Sequence, residues 1–94
     1  MDRVVLVARL KPGVRDRAEA LLTDRDGRLH ENLFQRGAVY ISESEVVFLL
    51  EGDDAFDIVR TILDDPVESA MISHWLPLFD GPLHRAPEAR SWEN

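Results

Sequence analysis

Two stretches of this chain are apolar on both of their alternating faces. Val4 to Leu10 reads VVLVARL, and Glu45 to Glu51 reads EVVFLLE. Short runs of this kind, rich in β-branched and aromatic residues, form buried strands. A sheet covered by helices on one side only should instead alternate apolar and polar residues. Here Val5 and Val7 oppose Val4, Leu6 and Ala8, while Val47 and Leu49 oppose Val46, Phe48 and Leu50. A chain of 94 residues is expected to form a single domain over 1–94. No spare element remains to cover the second face, which would be an exposed apolar patch on a monomer. A second copy packed sheet against sheet about a two-fold axis resolves this, so a homodimer through the sheet faces is expected.

The remaining elements follow from local signals. Pro12-Gly13 breaks the first strand, and a helix follows with Val14, Ala18, Leu21 and Leu22 on one stripe. Residues 23–33 are polar and turn-rich, hence a loop with room for one helical turn. Phe34 to Ser42 reads as a second strand, joined by Ser42-Glu43-Ser44 to the third as an antiparallel hairpin. Asp53 or Asp54 caps a helix with Phe56, Val59 and Leu63 on one face. Asp65-Pro66-Val67-Glu68 then signals a second helical segment. Its apolar stripe is Val67, Ala70, Met71, His74, Trp75 and Leu78, and Pro77 kinks or stops its last turn. Residues 86–92 read as a final edge strand, where Pro87 is tolerated. The order βαββαβ predicts an α+β, ferredoxin-like fold: a four-stranded antiparallel sheet with helices on one face.

Composition removes several function classes. The net charge is −7, from 11 basic and 18 acidic residues, and the arginines are scattered among acids. Such a surface repels phosphate backbones and anionic membranes, so neither nucleic acid nor membrane is an expected partner. No apolar run approaches the length of a membrane span. The chain has no cysteine, which excludes disulfides, thiolate zinc sites, iron–sulfur clusters and cysteine nucleophiles. A cytoplasmic location fits. Asp53-Asp54 and Asp64-Asp65 serve as helix caps before they serve as metal ligands. His30 beside Glu31 does not make a metal site, and His84 follows a turn, so no metal is expected.

The segments VVLVARLKPG, VVFLLEGDDAF, LDDPVESA and EARSW together resemble the dimeric α/β-barrel superfamily, with tetracenomycin-type polyketide cyclases nearest and antibiotic-biosynthesis monooxygenases beside them. The stretch between the last helix and the final strand is shorter here than in the cyclases. The resemblance implies a small-molecule cavity between each subunit's sheet and its own helices. It also implies cofactor-independent chemistry on an aromatic or polyketone substrate, by cyclisation or cofactor-free oxidation.

Six residues are the candidates for such a site. His74, facing the sheet from its helix, would be a neutral acid/base; a structural ring bonded to a backbone carbonyl accounts for it equally. Arg36 would stabilise an enolate or carboxylate, and Arg9 would help bind it; either can instead pair with a nearby acid or reach solvent. Tyr40, sharing a strand face with Phe34, Arg36 and Ala38, would donate a hydrogen bond or fill the core. Trp75 and Trp92 would line the pocket, or pack the core or the dimer interface. No cofactor is expected. Within the superfamily haem binding occurs, and His74 is the sole axial candidate. One histidine and two arginines make a thin active site, so a non-catalytic binding or interaction module is the alternative.

Overall fold

The computed structural model describes residues 1–23, 33–67, 69 and 72–93. The 23–33 loop with His30 and Glu31, together with Glu68, Ala70 and Met71, therefore lies largely or wholly outside the described residues. Strand β1 (Asp2–Arg9) leads to helix α1 (Arg15–Thr23), then to strands β2 (Arg36–Ile41) and β3 (Glu45–Gly52), helix α2 (Ala55–Asp64), a 3₁₀ turn (Leu76–Leu78) and β4 (His84–Arg85). The sheet order is β2-β3-β1-β4, and every neighbouring pair is antiparallel. Over its described residues the protein is thus α+β, with a four-stranded antiparallel sheet and two α-helices, compatible with a ferredoxin-like fold.

Pairing register decides which apolar face points inward. Val4, Leu6, Ala8 and Leu10 of the first segment are buried, as are Val46, Phe48 and Leu50 of β3. Val5, Val7, Val47 and Leu49 lie on the other face and are half-buried. Both helices pack on the buried face, α2 against β1 and β3, and α1 against β2. Val14 and Ala18 are buried, with Leu21 and Leu22 against the core, as the sequence stripe requires. In α2 the buried line is Ala55, Val59 and Ile62 rather than Phe56, Val59 and Leu63. Phe56 is consequently pushed to the margin of the sheet.

Turns follow local chemistry. Ser42 Oγ accepts hydrogen bonds from the backbone N–H groups of Ser44 and Glu45, closing the β2–β3 hairpin. Arg15 ties the start of α1 to that hairpin through Glu43 at 2.6 Å, and to Glu19 at 3.2 Å. The hydrogen bond to Glu43, then that to Glu19, raises the Arg15 pKa above its ordinary value. Asp54 makes no side-chain cap on α2; instead Asp2 Oδ2 of β1 accepts the Phe56 N–H at 3.4 Å. Gly13 has φ +77° with nothing near its missing Cβ. Gly13→Ala therefore meets conformational strain alone and is expected to cost about 1–2 kcal/mol in thermal denaturation.

Two expected elements differ. The second helical segment is not an α-helix over its described residues. Asp65 ends α2, its N–H bonded to Thr61 O, and residues 72–75 are turns before the 3₁₀ turn. Backbone bonds run from Ile72 to Ser69, Trp75 to Ile72, Leu78 to Trp75 and Phe79 to Leu76 in the i→i−3 pattern, beside i→i−4 bonds from Ser73 to Ser69 and from Leu76 to Ile72. A three-residue repeat aligns Ile72, Trp75 and Leu78, and all three are buried. Pro77 has no N–H to give Ser73 and its ring crowds that carbonyl, which prevents a regular α-helix here.

The last strand is His84–Arg85, not 86–92. Its surroundings explain the shift. Lys11 bonds Leu78 O, Leu10 bridges Phe79 and Asp80 bonds Arg9 O, so the chain already runs beside β1 before Gly81-Pro82. It bulges outward there, rejoins at His84 and Arg85, and makes one more bond from Ala86 N–H to Val5 O. Pro87 follows at an edge position that gives no bond to β1, so its missing N–H is tolerated there.

Candidate functional site

The helix-free face of the sheet forms four rows across the strands. Arg36, Glu51 and Arg3 are cross-strand neighbours in the first, and Glu45 and Arg9 in the last. Between them lie Ala38, Leu49 and Val5, then Tyr40, Val47, Val7 and His84. Two apolar rows are thus framed by two charged ones. Arg3 reaches Glu51 at 3.7 Å and Glu88 of the C-terminal tail at 3.5 Å.

This face holds three of the six sequence candidates. Arg9, Arg36 and Tyr40 all lie on it and are exposed, Tyr40 at 59%. Tyr40 does share its face with Arg36 and Ala38, but that face is the one without helices, so it is not in the layer where a cavity was expected. Phe34 precedes β2 and packs against the core instead.

The other three are separated from these. Trp75 is fully buried under the opposite face, edge-on to Phe48 at 5.2 Å and stacked with Phe79 at 6.5 Å. These three rings fill the space between the sheet and the 72–79 segment. His74 precedes Trp75 and is exposed, because the tightened turn rotates it out of the stripe that an α-helical period predicts. Trp92 is 72% exposed, with the Arg90 guanidinium 5.7 Å from its ring centre. The sheet therefore stands between Trp75 with its neighbour His74 and the pair Arg36 and Tyr40.

Two hollows flank the Phe56 ring. An open groove of about 970 Å³ runs between β1, Phe56 and the tail from Arg85 to Ser91. A smaller hollow of about 410 Å³ lies between α2 and the sheet margin, over Val4, Val59 and Leu63. Neither is lined by any of the six candidates. Sequence reasoning missed Phe56 and Arg85, which line both. No sequence signal marked Arg85, because its pairing with Leu6, which places it on the helix side, is visible only in the register. Among the described residues no three His, Asp or Glu side chains gather as a metal site. None of the described helices is long and apolar enough to cross a membrane. Searches for similar proteins find no match to this chain among family models, curated proteins or solved structures.

Proposed function

We propose that this chain is a non-catalytic binding module that pairs with a second copy of itself through the helix-free sheet face. The carrying observation is the pattern on that face. Val5, Val7, Val47, Leu49, Ala38 and Tyr40 form an apolar centre with charged rows at both ends. An apolar centre with a polar rim is the anatomy of a protein interface. A two-fold axis makes one such patch complementary to itself. The rim carries both signs, Arg36, Arg3 and Arg9 against Glu51 and Glu45, so a copy can meet it without net repulsion despite the overall charge of −7. This is the assembly the barrel resemblance implies, and the cysteine-free composition suits the cytoplasm.

Binding is favoured over turnover by the dispersal of the polar groups. Acid/base transfer needs its partners within roughly 2.6–3.2 Å of the reacting atoms. His74 stands beside the buried Trp75, and Arg36 and Tyr40 lie across the sheet from it. Sedimentation equilibrium from micromolar to tens of micromolar tests the pairing. The expected mass is that of two chains; the mass of one chain throughout overturns the reading.

A further inference from the structure

We infer that the hollow beside α2 is a binding site for a small amphipathic monocarboxylate, with Arg85 as the residue that takes the carboxylate. The inference goes beyond the pairing of two copies and does not need it, because the site lies on the other side of the sheet.

The floor is apolar. Val4, Val59 and Leu63 line a hollow of about 410 Å³, within the range of small-molecule pockets. Arg85 stands at its edge. It belongs to β4 opposite Leu6, so its side chain leaves the sheet on the helix side. Its guanidinium carbon sits 4.5 Å from the centre of the Phe56 ring. Stacking of this kind holds a guanidinium by cation–π attraction and leaves its edge N–H donors free. Among the described residues no carboxylate lies within ion-pair distance of Arg85, whereas Arg3 and Arg15 each have two and Arg60 has one. A fixed guanidinium without an acid partner among the described residues, beside an apolar floor, fits a ligand with one planar anion and an apolar body.

The mouth of the hollow limits the charge of that ligand. Arg60 faces it but is already held by Asp57, and Asp64 adds a negative charge. A second anionic group would meet Asp64 and the acidic surface. A monoanion is therefore preferred over a dicarboxylate or a phosphate ester.

The test uses the full chain with 2-naphthoate as probe and 2-naphthalenemethanol as its neutral counterpart. Titration calorimetry gives the affinities, and ¹H–¹⁵N spectra locate the site. Saturable naphthoate binding is expected, with shifts at Val4, Val59, Leu63 and Arg85. Arg85→Gln should weaken naphthoate tenfold or more and leave the alcohol unchanged, with an unaltered thermal midpoint. Arg85→Lys should recover only part of the loss, since an ammonium cannot offer the planar fork. The inference is overturned by absence of saturable naphthoate binding at millimolar concentration. It is equally overturned by shifts confined to Val5, Val7 and Val47, or by equal naphthoate affinity in wild type and Arg85→Gln. A monomeric protein that passes this test would leave the inference standing and remove only the pairing.

Discussion

Trp75→Ala is expected to lower the thermal midpoint by about 12 °C or more, while His74→Ala leaves it nearly unchanged. Removing a fully buried tryptophan costs about 3–5 kcal/mol, from lost transfer energy and the cavity left behind. Each kcal/mol shifts the midpoint of a domain this size by about 4–8 °C. Trp75 has no exposed surface and holds Phe48 and Phe79 on two sides, so its loss opens a void that neither neighbour alone can fill. Total stability for such domains is only about 5–15 kcal/mol. His74 is exposed, and substitutions at such sites usually stay within about 0.5 kcal/mol. Both midpoints must be taken at one protomer concentration, because pairing adds to apparent stability. The contrast tests the tightened turn directly. An α-helical segment would bury both side chains on one stripe, and the two substitutions would then cost comparable amounts.

That pair also shows where the sequence was legible and where it was not. The strands were legible because β1 and β3 carry short apolar runs bounded by breakers, and the hairpin because only Ser42-Glu43-Ser44 separates two of them. Helix α1 was legible from Val14 and Ala18, whose four-residue spacing suits one face. From 65 to 78 the apolar residues fit an α-helical period and a three-residue one almost equally well. Pro77 tipped the balance toward the tighter repeat, and that moved His74 from the core to the surface. The final strand was hidden for a different reason. Its pairing with β1 is divided between 78–80 and 84–86, with Gly81-Pro82 between, so no continuous run betrays it. The site residues on β2 were placed on one face correctly. Which face that is depends on the register with β3, where Tyr40 meets Val47 rather than Phe48, and a β3 that is apolar on both faces does not itself fix that register.

The register places Val47 at the middle of the helix-free face, with Tyr40 and Val7 as its cross-strand neighbours. Val47→Glu is therefore expected to split the proposed homodimer while the subunit stays folded. In an isolated subunit this position is half-buried at the sheet surface, and a strand substitution there costs up to about 1 kcal/mol. In the dimer the same carboxylate is buried without a partner, because the acids and arginines of this face lie in the outer rows. Stranding a charge in that way costs several kcal/mol, and two-fold symmetry places one on each copy. A loss of about 4 kcal/mol corresponds to roughly a thousandfold in Kd. Sedimentation should show one chain per particle at tens of micromolar, with far-UV circular dichroism retaining the sheet signal. Arg9→Ala, at the rim, should leave the mass of two chains and reduce the salt dependence of association. If Val47→Glu still sediments as two chains, the copies meet elsewhere, and the apolar rows of the sheet are not their interface.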